Sequence, residues 1–158
     1  VIDAAWLSVR DGDLRALPLY LRHYSARKAR GPQPSGFVYG NHARFVGNGE
    51  TMVLLTLDCR AVFAWRVQRH RLDDEHGVEC SVFRNEGPVR SSELIGEACT
   101  LAWQRWPDER LFTFIDSQAI RSTNPGYCFL QAGFRRLKRR TQRGLRILER
   151  WPEQPAEA

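Results

Sequence analysis

Residues 85–92 read Asn85-Glu86-Gly87-Pro88-Val89-Arg90-Ser91-Ser92, a loop between an apolar, β-branched run and a helical pattern. A helix start presents unpaired N–H groups and a partial positive charge, which together form a seat for an anion. Ser91 and Ser92 add hydroxyls, Arg90 adds a guanidinium fork, and Gly87 permits a tight turn, so the segment suits a phosphate or diphosphate. As an ordinary helix start it needs only Ser92 as N-cap. A second run able to do chemistry is His23-Tyr24-Ser25, set beside Arg22, Arg27, Lys28 and Arg30. Stacking, hydrogen bonding and cationic charge in so short a stretch suit a nucleobase and its phosphates. The plainer alternative is a frayed helix end. His42, His70 and His76 lack the spacing of metal ligands.

The charge pattern points the same way. The 158 residues carry 24 basic and 18 acidic side chains, a net +6, with an isoelectric point near 9.6. Lysine supplies only Lys28 and Lys138; the other cations are arginine, whose planar fork matches phosphate oxygens better than an ammonium does. Two stretches are basic without a single acid. One is 22–30; the other is 134–146, with Arg135, Arg136, Lys138, Arg139, Arg140, Arg143 and Arg146. Such patches fit a nucleic-acid partner, and equally a solvated face in an arginine-rich chain.

These groups need a scaffold. With 42% hydrophobic and 27% charged residues the composition is that of one globular domain, assigned to residues 1–152, with 153–158 as a polar tail. No apolar run reaches membrane-spanning length, and the N-terminal residues lack the pattern of a secretory signal. A reducing cytoplasm is therefore expected, where Cys59, Cys80, Cys99 and Cys128, which form no C-x-x-C pair, stay as thiols.

The patterns predict a short helix over 13–23 with Asp13 as N-cap, then a loop over 26–50. Strands follow over 51–57, 60–67 and 78–84, and a helix over 92–106 with Pro107 beyond its end. A strand over 110–115, a short helix over 124–132 closed by Gly133, and a last strand over 141–149 complete the order. Helices between strands imply an α/β fold with a mixed sheet, parallel neighbours and helical cover on both faces.

In that order, Asn124-Pro125-Gly126-Tyr127-Cys128-Phe129-Leu130-Gln131-Ala132-Gly133-Phe134 lies between two strands, and the 85–92 loop lies between a strand and a helix. Over about residues 50–150 this resembles the GNAT superfamily of N-acetyltransferases. Asn124, Phe129 and Gly133-Phe134 match the family's second signature, and Val89-Arg90-Ser91-Ser92 stands at its pyrophosphate loop, with serines where the loop glycines would be. The resemblance implies a splayed central sheet and acetyl-CoA as donor. The cofactor would be held by Val82, Phe83, Arg84, Gly87, Arg90, Ser91, Ser92, Asn124 and Phe129. It also implies a slot between the strands at 78–84 and 111–115. Glu79 or Asp116 would be the base, and Tyr127 the acid, because Phe129 stands where many relatives carry an acidic tyrosine. His23, Tyr24, Ser25, Arg27, Lys28 and Arg30 would face the acceptor.

The runs Leu21-Arg22-His23-Tyr24-Ser25, Val82-Phe83-Arg84-Asn85-Glu86-Gly87, Ala102-Trp103-Gln104-Arg105-Trp106-Pro107 and Asn124-Pro125-Gly126-Tyr127-Cys128-Phe129 look like those of phage and prophage GNAT-like proteins similar to the Mom-type DNA-modification group. That likeness implies DNA as partner, an amine such as that of 5-aminomethyl-deoxyuridine as acceptor, and the host cytoplasm as location. The alternatives are a Mom-like transfer of another group to adenine, a non-catalytic module that binds nucleic acid or a host protein, and acetylation of a small amine or protein N-terminus.

Overall fold

The computed structural model describes residues 5–23, 44–120 and 124–153. Its centre is one seven-stranded, mostly antiparallel sheet: β1 (Trp6–Val9), β2 (Glu50–Thr56), β3 (Ala61–Val67), β4 (Val78–Asn85), β5 (Leu111–Ile115), β6 (Arg135–Arg140) and β7 (Arg146–Arg150), in the spatial order β1-β2-β3-β4-β5-β7-β6. Three helices accompany it among the described residues: α1 (Leu17–Arg22), α2 (Ser91–Arg105) and α3 (Tyr127–Gln131).

Alternation along β2 and β3 sorts the core into two clusters, since successive side chains of a strand point to opposite faces. Leu54, Phe63 and Trp65 join Leu94, Ile95, Ala98 and Ala102 of α2. Val53, Leu55, Val62, Ala64 and Val82 join Ala16 and Leu19 at α1. Two indoles pin α2 to the sheet: Trp6 Nε1 donates to the Leu94 carbonyl and Trp65 Nε1 to the Ala98 carbonyl, both at 2.8 Å.

The sheet departs from the expected one in three ways. Only β4 and β5 run parallel; every other neighbouring pair is antiparallel. The crossover through α2 creates that one parallel pair, whereas the remaining strands are joined as hairpins or return in reverse. The strand expected over 141–149 is a hairpin, β6 and β7, turning at Thr141–Leu145 with Gly144 at φ +81°. β1 is a further strand, paired with β2. Helix α1 starts later than expected, with Ala16 as its N-cap and proline in its first turn, where a missing N–H costs nothing. Asp13 instead caps the turn before it, accepting the Arg15 amide at 2.9 Å.

Candidate functional site

The β4–β5 pairing lasts only three rungs: Val78 with Leu111, Glu79 with Phe112 and Cys80 with Thr113. At the last rung Thr113 Oγ1 donates to the Cys80 carbonyl at 3.0 Å. Beyond it the strands part. Opposite Ala64 and Trp65 of β3 the register jumps from Val82 to Cys80, so Ser81 is a bulged residue. A bulge bends its strand and tightens the local twist, here where β4 leaves β5. Below the gap, a Cβ on Gly126 (φ +82°) would come within 2.7 Å of Leu148 Cδ1. Only glycine lets the chain pass so close and then start α3.

The opening forms a cleft of about 620 Å³. Its walls are the far half of β4, Phe114 and Ile115 of β5, the 119–120 segment, and Asn124, Tyr127, Cys128 and Phe129. A second cavity of about 410 Å³ is lined by Glu79, Asp116, Gln118, Arg140, Arg143 and Leu145, among others. Both cavities include Cys80, Ser81 and Phe114 in their walls, so they meet at the parting point of the strands. Strand edges that have lost their ladder partner leave N–H and C=O groups to be satisfied by water or a ligand. An extended, amide-bearing chain laid between β4 and β5 would satisfy them as a strand does.

The structure gathers part of the expected site and separates the rest. Val82, Phe83, Arg84, Asn124, Tyr127, Phe129 and His23 all line the cleft. Tyr127 is exposed there, its hydroxyl accepting from Gln131 Nε2 at 2.9 Å. Phe129 is buried and edge-on to both Phe83 and Phe134, so it builds the wall more than it offers a surface. His23 is buried too, at 8% exposure, which sets aside a frayed end at this residue. Arg84 Nε donates to Glu86 Oε2 at 2.5 Å and its Nη1 to the Arg22 carbonyl at 3.0 Å. Arg22 grips the same Glu86 at 2.7 and 2.8 Å. Hydrogen bonds from Arg22 and Arg84 draw the Glu86 carboxyl down to about 2.

Glu79 and Asp116 face the second cavity, not the first. Glu79 is buried and its Oε2 accepts from Arg66 Nη2 and Arg71 Nη1, both at 2.8 Å. Arg71 in turn holds Asp73, whose carboxyl it pulls down to about 2. Asp116 Oδ1 accepts the Gln118 and Ala119 amides at 3.0 and 3.2 Å.

The 85–92 turn is organised by Asn85. Its Oδ1 takes the Gly87 amide at 2.9 Å, and its Nδ2 donates to the Val89 carbonyl and to Ser91 Oγ. Gly87 lines a separate depression of about 290 Å³, and Arg90, Ser91 and Ser92 do not line the cleft. Arg90 is the N-cap of α2 and no side chain caps that helix. Tyr24, Ser25, Arg27, Lys28 and Arg30 lie outside the described residues.

The sequence reading passed over Ser81. Its Oγ is buried and, among the described residues, has no hydrogen-bond partner, and the residue stands where the two cavities meet. The available signal was a small polar residue interrupting the run Val78 to Phe83. Cys128, expected only to stay a thiol, lines the cleft, and burial pushes its thiol up. No family model, curated protein or solved structure matches the chain.

Proposed function

We propose that the protein is a GNAT-type acyltransferase, with helices on both faces of a splayed sheet, that moves an acetyl group from acetyl-CoA to a primary amine on a base of phage DNA. One observation carries this reading: β4 and β5 separate after Cys80 and Thr113, and two cavities that share Cys80, Ser81 and Phe114 as walls border the gap. The gap fits the amide-bearing arm of the donor, with Val82, Phe83 and Phe114 as walls. At the diphosphate end the fit rests on Arg90 and the uncapped first turn of α2, with Ser91 and Ser92. The Gly87 amide is already used by Asn85. Bound acetyl-CoA would supply an activated thioester carbonyl.

The residues around the gap then divide the work. Tyr127, in the cleft, protonates the departing thiolate. Ser81 Oγ, unpartnered at the junction, donates to the carbonyl oxygen as charge builds on it. The amine enters from the second cavity and loses its proton there to a carboxylate through water. The double ion pair on Glu79 favours Asp116 as that base. His23 lines the donor's cleft and not the second cavity.

The test is calorimetry with CoA, followed by mass spectrometry of nucleosides from DNA incubated with the protein and acetyl-CoA. We expect micromolar binding and the mass gain of one acetyl group on an aminomethyl base. An adduct on adenine would instead identify a Mom-like modification. A second reading, a non-catalytic nucleic-acid module, is favoured by the Asn85 network that fills the 85–91 turn. DNA binding with no CoA binding would select it.

A further inference from the structure

Seven cations crowd residues 135–146 of the β6–β7 hairpin, and the structure sorts them into two kinds. Arg139 is paired with Glu75, and Arg135 with Glu149 at 2.7 Å. Both carboxylates are buried and also take Arg110, at 2.7 and 3.0 Å. These two arginines belong to an internal ion network. The other five behave differently. Among the described residues, Arg136, Lys138, Arg140, Arg143 and Arg146 form no ion pair. Arg140 stands directly across the ladder from Arg146. The guanidinium of Arg146 is shifted down, by desolvation and then by the charges of Arg140 and Arg136. Arg136 Nη2 donates to Asn124 Oδ1 and Arg140 Nη1 to the Gly144 carbonyl, contacts that hold them in place without neutralising them. Strand β6 is the edge of the sheet, and five of its six residues are exposed.

Like charges set across from each other on an edge strand oppose folding. The surface is therefore incomplete without an anion. It also runs into the second cavity, because Arg140, Arg143, Gly144 and Leu145 form one wall of it while Glu79 and Asp116 form another. We propose that this hairpin, and not the 22–30 segment alone, is the rail that grips the phosphodiester backbone of a nucleic acid. A phosphate held at Arg140, Arg143 and Arg146 sets the neighbouring nucleoside at the mouth of the second cavity. Arg22, by contrast, is tied to Glu86. The inference deepens the transferase reading and rests on it for the placement of the acceptor; the phosphate grip stands on the hairpin alone.

The experiment is fluorescence anisotropy of a labelled 20-base-pair DNA duplex, from 50 to 300 mM salt, with the full chain and with the triple variant Arg140→Ala, Arg143→Ala, Arg146→Ala. Each lost phosphate contact lowers the log–log salt slope by ~0.9. We expect the slope to fall by about 2 to 3 units and affinity at low salt to drop at least tenfold. Arg15→Ala, on a cation paired to Asp13, is the control and leaves both unchanged. The triple variant should melt no lower than the parent, since it sheds repulsion. Unchanged slope and affinity in the triple variant, no duplex binding by the parent, or polyglutamate bound as tightly as DNA would each overturn the proposal. CoA calorimetry on the same variants separates the two ideas. A salt-steep, hairpin-dependent DNA affinity without CoA binding keeps the rail and removes the transferase; CoA binding without DNA binding does the reverse.

Discussion

Ser81 is placed by the backbone. A bulge takes one residue out of the pleat, and this one leaves a hydroxyl at the point where two cavities join. A buried hydroxyl with no partner costs the fold about 1–3 kcal/mol, so its removal does not destabilise the protein and tests function cleanly. Ser81→Ala should melt no lower than the parent, because no protein hydrogen bond is lost and an unsatisfied buried group is removed. The rate of acyl transfer should fall about a hundredfold, the scale of one donor to a developing oxyanion. CoA affinity should stay the same. Steady-state kinetics with the calorimetric Kd checks all three, and an unchanged rate would remove Ser81 from the reaction. Glu79 is the contrasting case. Its position on β4 made it a candidate base, but the structure gives its Oε2 to Arg66 and Arg71. Sequence shows which residues share a strand; it does not show which distant guanidinium folds onto a carboxylate.

Among the elements, the hairpin at β6 and β7 depends on the ion network behind it. Glu75 is drawn down by hydrogen bonds from Arg139 and Arg110 against the opposing effect of burial. At Glu149 burial pushes up, and Arg135, Trp151 and Arg110 together more than offset it. Both folded carboxyls thus titrate below their unfolded value of about 4.3. Their contribution to stability is complete above that value and is lost as pH falls through the folded one. Arg110→Leu takes one guanidinium from each buried carboxylate, leaving Glu75 with Arg139 and Glu149 with Arg135 and Trp151, and should cost about 1.5–3 kcal/mol at pH 7. The deficit should shrink as pH is lowered toward 4, because the two carboxylates, less well paired without Arg110, then take up protons. Urea denaturation of both proteins at pH 7, 5 and 4 measures it; a deficit that is constant across pH would mean that Arg110 acts by packing alone. The same elements show what was legible. β2, β3, β4 and β5 announce themselves as apolar runs buried on both faces, and α2 as an apolar stripe at helical spacing. β6 reads Arg135-Arg136-Leu137-Lys138-Arg139-Arg140 and buries nothing, so no alternation marks it as a strand. β1 is four residues long and only Trp6 is buried, too short a signal to set a period. The parting of β4 from β5 depends on a bulge and on a glycine under Leu148, neither of which hydrophobic spacing encodes.

For the whole molecule, the cleft and the second cavity share Cys80, Ser81 and Phe114 as walls, the hairpin lines the second cavity, and the thiols offer a way to watch the cleft fill. All four cysteines are free. Cys80 of β4 and Cys99 of α2 are buried in one core cluster, and burial raises both thiols, that of Cys99 to about 11. Cys59 stands in the β2–β3 turn, half-exposed. Cys128 alone among them is both partly accessible and part of the cleft wall without belonging to β4. Alkylation proceeds through the thiolate, so a thiol raised by burial reacts slowly near neutrality and faster as pH rises. With a small maleimide at pH 8, Cys59 should be modified first, Cys128 more slowly, and Cys80 and Cys99 only on unfolding. Saturating CoA should slow Cys128 at least tenfold and leave Cys59 unchanged, because a ligand lying between β4 and β5 covers α3 but not the turn at Cys59. DNA alone, gripped at the hairpin, should slow neither. Peptide mass spectrometry over time reads the four sites separately. Equal rates at Cys128 with and without CoA would mean that the gap between the strands is not where the donor lies.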